Sequence, residues 1–292
     1  MIKRIWAIIL CCVFLLLCGC HGSNKKYKRI SFKSEALGEE LKVIDDNTVI
    51  KYNSDETFVS QMPIYEIEER PISDQECRQM MENLGFPDTP DEFEHEGNSI
   101  SIRLVEMLDT SRGYYDATEE ELEKMAWEAF NKIPFIEGEY EYYGIRGEDA
   151  IEDADGKHII STLVSFFPVL DGVRVIGNNR CDMWFDGSGL VEIRIRMYTF
   201  KNIGTMDLLP LADAKAKLNK PDDFDVDDTM GTADTLCVNR VKLLWINQYS
   251  DGCSILQPVY NFTGTATSTT GYQAEFKSKV IAIPEAMTYE EE

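Results

Sequence analysis

Four aspartates have the spacing of a cation site. Asp223, Asp225, Asp227 and Asp234 occupy positions one, three, five and twelve of a twelve-residue calcium loop. Hard carboxylate oxygens at alternate positions suit Ca²⁺. Asp228 stands at position six, where the sharp turn needs glycine, and Asp234 stands where a bidentate glutamate is usual. An acidic loop between elements explains the same residues, so no metal or other cofactor is assigned. Three histidines occur, His21, His95 and His158. His95 is flanked by Glu94 and Glu96, a spacing that puts the three on no common face of a helix or strand, and a solvated loop accounts for it. HExxH, P-loop, GxGxxG and GxSxG patterns are all missing. Carboxylates are abundant, but a hydrolytic pair is defined by separation in space, so no catalytic residue is assigned. Trp127, Trp184, Trp245 and the tyrosines suit either a binding groove or a core.

The remaining reactive side chains are eight cysteines. Cys11, Cys12, Cys18 and Cys20 lie in or just after an apolar run. Lys3 and Arg4 precede Ile5 to Leu17, which is shorter than the roughly 20 residues a membrane-spanning helix needs and suits the core of a secretory signal. The run ends Leu17-Cys18-Gly19-Cys20, which resembles the bacterial lipobox. That resemblance implies removal of residues 1–19 and attachment of a lipid to Cys20. The mature chain would then sit on the extracytoplasmic face of the cell membrane, held there through its anchor. A tether over 20–35 follows, in which Lys25, Lys26, Lys28 and Arg29 either meet anionic headgroups or belong to an ordinary solvated linker. Cys77, Cys181, Cys237 and Cys253 remain. Outside the cytoplasm they are either two disulfides in one of three connectivities or four separate thiols. The lack of CxxC and the place of Cys77 on an apolar helix face favour thiols.

Removing residues 1–19 takes away two of the 29 basic residues and none of the 52 acidic ones, leaving a formal charge of 27 − 52, or −25. Such a body is repelled by nucleic acid. Hydrophobic content of 43% argues for a folded chain.

Three helices must form. Ser73 and Glu76 make a capping box ahead of Cys77, Met80, Met81 and Leu84, with Gly85 as the stop. Thr118 and Glu121 repeat the box ahead of Leu122, Met125, Ala126, Ala129, Phe130 and Ile133, and Pro134 closes the segment. A shorter helix follows Pro210, with Leu211, Ala214 and Leu218 inward. The rest reads as strands: a hairpin around Asp45-Asp46-Asn47; an edge strand through Pro63; SISIRLVEML; HIISTLVSFFPVL; a hairpin turning at Asp186-Gly187-Ser188-Gly189; another turning at Asp251-Gly252; and GYQAEFKSKVIAIP. Residues 146–158 read as an exposed acidic loop and MTYEEE as a polar tail. The fold class is α+β, with antiparallel sheets built from hairpins and helices packed on one face. A boundary near Ser111 to Gly113 divides an N-terminal domain, 36–112, from a C-terminal one, 113–292.

Residues 166–200, FFPVLDGVRVIGNNRCDMWFDGSGLVEIRIRMYTF, carry a family pattern. An aromatic strand meets the turn Asp171-Gly172-Val173-Arg174-Val175-Ile176-Gly177. The hairpin Phe185-Asp186-Gly187-Ser188-Gly189-Leu190-Val191 follows, and then LLPLADAKAKL. This resembles the PepSY-like half-domain and the YycI-type extracytoplasmic regulators of histidine kinases. The likeness extends over about 118–283, with TEEELEKMAWEAF in place of the leading helix. It departs where Arg174 replaces a proline and where a lipobox replaces a transmembrane helix. It implies an antiparallel sheet cradling a helix, and a non-catalytic role in binding or restraining another protein, such as a sensor kinase, a protease or an envelope component. Two other readings stand beside it: a lipoprotein that captures a peptide, sugar or cation, and a carboxylate-dependent surface hydrolase.

Overall fold

The computed structural model describes residues 27–29, 47–87, 90–104, 115–153, 156–218, 223–226, 232–247, 255–283 and 287–289. Cys20, the first arm of the hairpin expected around Asp45, and Asp251-Gly252 fall outside them. Helix α1 (Asp74–Leu84) and helix α2 (Glu119–Phe130) start at the expected capping boxes. Ser73 and Thr118 each accept from the backbone three residues on, while Glu76 and Glu121 accept from the cap backbone. Gly85 ends α1 with φ 75°, a left-handed conformation that glycine adopts without strain. Helix α3 (Leu211–Ala216) follows Pro210.

The strands, in chain order, are β1 (Tyr27–Arg29), β2 (Val49–Tyr52), β3 (Gln61–Glu69), β4 (Glu92–Glu96), β5 (Ser99–Arg103), β6 (Glu139–Asp153), β7 (Gly156–Leu170) and β8 (Val173–Gly177). They continue with β9 (Cys181–Asp186), β10 (Gly189–Arg196), β11 (Tyr198–Asp207), β12 (Asp223–Val226), β13 (Ala233–Asn247), β14 (Gln257–Ser268), β15 (Gln273–Ile281) and β16 (Met287–Tyr289). Ten of them form a path β12-β15-β14-β13-β8-β7-β9-β10-β5-β4, with β2 added on β13 and β6 on β7. Pairing is antiparallel except where β13 meets β2 and β8 in parallel. β3 and β11 form a separate ribbon, and β1 pairs with β16.

One face of the long sheet is largely apolar, with Thr162 and Ser278 as buried polar residues on it. Over β5, β10, β9 and β7, Ile102, Ile193, Met183 and Val164 lie side by side, as do Ile100, Ile195, Cys181 and Phe166. Helices α1 and α2 cover this half, with Phe130 stacked on Phe166 at 4.2 Å between ring centroids. On the other half Val175, Trp245, Tyr260, Phe262 and Val280 form a second core, covered by the β3–β11 ribbon and α3.

Helices α1 and α2 pack in the first core and α3 in the second. Residues from both sides of position 112 meet in each core: Met62 to Ile67 pack with Val175 and residues from Tyr198 on, and Ile72 to Ile102 pack with residues 122–197. Several expectations are corrected. Residues 146–158 are not a loop: β6 runs to Asp153 and β7 begins at Gly156, with Glu148 to Asp153 paired along β7. Cross-strand pairing there outweighs the low strand propensity of acids and glycine. Met287–Tyr289, expected in a polar tail, pairs with Tyr27–Arg29 in the expected tether. Val49–Tyr52 pairs in parallel with Thr235–Val238. Among the described residues, no helix is long and apolar enough to cross a membrane.

Candidate functional site, an arginine-bearing sheet face

The alternation that buries Ile193 and Ile195 sends Glu192, Arg194 and Arg196 to the opposite face. Cross-strand register places Arg103 beside Glu192 and Trp184, and Ser101 beside Arg194, Asp182 and Ser165. Arg180 precedes Asp182 by two residues and shares its face. Val169, opposite Arg174, carries this face onto β8. There it continues through Lys242 and Leu244, which alternate with the buried Val241 and Trp245 on β13. Seven of the twelve arginines of this acidic chain, Arg103, Arg146, Arg174, Arg180, Arg194, Arg196 and Arg240, lie on or beside this face.

Three carboxylates orient the arginines, Glu192 and Asp182 buried beneath them and Glu141 exposed beside Arg174. Glu192 is fully buried, and its Oε2 accepts from Arg103 Nε at 2.7 Å, while Arg103 Nη1 lies 2.5 Å from Glu92. The bond to Glu192 pushes the Arg103 guanidinium still further above its ordinary value. Asp182, only 6% exposed, accepts from Ser165 Oγ at 2.5 Å and pairs with Arg180 Nε at 2.7 Å. Arg146 Nη1 stands 3.5 Å from the same carboxylate. Glu141 takes both forks of Arg174, with Nε at 2.7 Å, and those bonds hold its carboxyl below the usual range. Burial pulls the Lys242 ammonium below its ordinary value, helped by Arg240 and Arg174 and opposed by Glu141. Cations crowd this face.

Aromatic rings carry the guanidiniums from below. Arg194 lies over Trp184 at 4.7 Å, Arg174 over Tyr143 at 4.8 Å and Arg146 over Phe167 at 5.8 Å. Stacking holds each planar cation; Arg194 and Arg146 keep N–H edges toward the surface, while those of Arg174 are taken by Glu141. Arg194 is 47% exposed although its Nε lies 2.5 Å from Glu192. The arrangement has preoriented cations at the surface and no carboxylate of the three left without an arginine.

The residues singled out from sequence fall elsewhere. Asp223 and Asp225 lie on β12, opposite Lys279 and Lys277 of β15. A paired strand does not wrap an ion as a calcium loop does, and Asp227 falls outside the described residues. Asp234, at the start of β13, accepts from Thr269 Oγ1 at 3.2 Å. No cluster able to hold a metal occurs among the described residues. His95 is not in a solvated loop: it sits on β4, part-buried, with Nε2 2.8 Å from the Ile72 carbonyl and Nδ1 3.3 Å from Asp74. Cys77, Cys181 and Cys237 carry free thiols, and Cys253 lies outside the described residues. Trp245 is core and Trp127 packs edge-on to Phe130 and Phe166; only Trp184 reaches the open face. Sequence reasoning passed over the arginines, yet the signal stands in Ile193-Arg194-Ile195-Arg196, an alternation of apolar and cationic residues.

No protein-family profile matches the chain, and no curated protein matches it. Among solved structures, an uncharacterized protein from Eubacterium rectale ATCC 33656 aligns with TM-score 0.46 and 14% identity, over 85% of this chain and 92% of that one. YycH from Bacillus subtilis aligns with TM-score 0.35 and 11% identity, over 61% and 39%. The C-terminal domain of YpeB from Bacillus megaterium aligns with TM-score 0.35 and 12% identity, over 72% and 98%.

Proposed function

We propose that this chain is a lipid-anchored, extracytoplasmic binding and regulatory protein of a bacterial cell surface. It works without catalysis, restraining or sensing a membrane or secreted protein partner through the open face of its long sheet. The observation that carries this reading is the arginine and aromatic lattice on that face. Trp, Tyr and Arg are the side chains that dominate the centres of protein interfaces, and here Trp184, Tyr143, Arg146, Arg174 and Arg194 are held together on a rigid support. The non-catalytic reading draws on the same lattice. Its three carboxylates are each taken up by an arginine, an arrangement that positions cations for binding. The anchor reading draws on the Leu17-Cys18-Gly19-Cys20 signal.

Cross-linking in cells that express the full chain, followed by recovery of the protein, tests this reading. A protein partner is expected with the native chain and lost with the double variant Arg146→Gln/Arg194→Gln. Equal recovery from the double variant would refute the face as the binding surface. Fatty-acid labelling that persists in Cys20→Ala would refute the anchor.

A further inference from the structure

We propose that the partner presents an acidic, extended polypeptide segment, laid across β7, β9 and β10 with its carboxylates on the guanidinium edges of Arg146, Arg180 and Arg194. This rests on the reading of the open face as the binding surface and names what that surface recognises.

Three observations select this occupant. The first is charge. The chain as a whole carries −23, yet at the centre of this face six cations, Arg103, Arg146, Arg174, Arg180, Arg194 and Lys242, stand with four carboxylates, Glu92, Asp182, Glu141 and Glu192, while Glu94 and Glu96 lie at its β4 edge. A surface of this sign on an acidic body attracts anions locally while the far field repels them, which favours a compact anionic segment over a long polyanion. The second is geometry. A guanidinium matches a carboxylate through two parallel N–H bonds, and Arg174 already makes that contact with Glu141. Arg194 stacks on Trp184 with its side chain half in solvent, and Arg146 on Phe167, so that each keeps donors toward solvent. The third is the aromatic content. Trp184, partly exposed, and Tyr143, 43% exposed, give apolar contact area that peptide side chains fill and that a phosphate polymer does not. Five strands, β5 to β6, span about 19 Å at the usual strand spacing, the reach of about six extended residues.

The test is direct binding of the full-length protein to three probes matched in charge concentration: fluorescent poly-L-glutamate, inorganic polyphosphate, and vesicles of phosphatidylglycerol. Poly-L-glutamate is expected to bind most tightly. Arg194→Gln and Arg146→Gln should each weaken it by about tenfold or more, as loss of one charge-assisted contact implies. Arg194→Lys should recover less than half of that loss, because an ammonium keeps the charge and loses the fork. Urea midpoints equal to the native protein's show that the variants are folded. Tighter binding of polyphosphate or vesicles, native-like poly-L-glutamate binding by Arg194→Lys, or indifference to Arg194→Gln overturns the acidic-peptide assignment. A partner that cross-links in cells and is lost in Arg146→Gln/Arg194→Gln, but with no poly-L-glutamate binding, would leave the face as the binding surface and overturn only its chemistry.

Discussion

Arg103→Ala should be among the more costly substitutions on the open face, although Arg103 is partly exposed. Its Nε, 2.7 Å from Glu192 Oε2, is the hydrogen-bond donor to a carboxylate with no exposed surface. Glu192 Oε1 makes no hydrogen bond, even with Arg194 Nε 2.5 Å away. Removing one partner of a buried pair costs about 3–5 kcal/mol, because a desolvated charge is left behind. Arg194 remains close, so the lower end, about 3 kcal/mol, is expected here. For a chain of this size that lowers Tm by about 6–12 °C. Glu192→Gln in the same background removes the stranded charge and should restore roughly half of the loss, the rest reflecting an amide without full hydrogen bonding. Urea unfolding at pH 7 of the single and double variants measures both. A loss under about 1 kcal/mol at pH 7, or a double variant no more stable than the single, would refute the reasoning.

Other outcomes follow from the same structure. The capping bond from Ser73, with Arg70 alongside, holds Glu76 at about 2 rather than 4.5; its contribution is complete above about 4.5 and is lost as pH falls toward 2. Glu76→Gln keeps a side chain able to cap, so urea midpoints for the variant should lack that slope between pH 4.5 and 2. A Cβ at Gly264 would lie 1.9 Å from the Cys237 carbonyl oxygen, so Gly264→Ala should cost more than about 2 kcal/mol by displacing β14 from β13, read as a lowered Tm. Phe130→Ala removes the ring stacked on Phe166 and should cost about 3–5 kcal/mol in chemical unfolding. Burial pushes the Cys77 and Cys181 thiols up, so neither should react with a thiol reagent until the protein is unfolded.

Local rules were read correctly where a few neighbouring residues decide the outcome. The boxes Ser73/Glu76 and Thr118/Glu121 set both helix starts, and Asp186 accepts from the Ser188 backbone at 2.7 Å to tighten the predicted hairpin turn. What depended on distant pairing was not legible. Nothing near Val49 announces a parallel partner 186 positions later at Thr235. Glu148 to Asp153 look like loop because their support comes from β7 across the sheet. The open face escaped notice for a related reason. Arg103, Arg146 and the Arg180–Arg194 hairpin come from three separate stretches of sequence, and only the register of β5, β10, β9, β7 and β6 makes them neighbours. Burial of Glu192 and Asp182 is likewise a property of the assembled sheet.

The long sheet narrows at β8. Val173–Gly177 is joined to β7 by two register pairs and to β13 by three, while each half carries a core of its own. Gly177 sits so near Asn247 that a Cβ would lie 2.5 Å from its carbonyl oxygen, at φ 130°. A beam bends at its thinnest section, and this one has its neck beside Arg174. The span from Arg194 and Arg146 on one side to Lys242 on the other is therefore set by five residues, of which Arg174 alone belongs to the binding lattice. A change in that neck would retune the spacing of the cations as a luthier's wedge alters the pitch of strings, leaving every arginine in place.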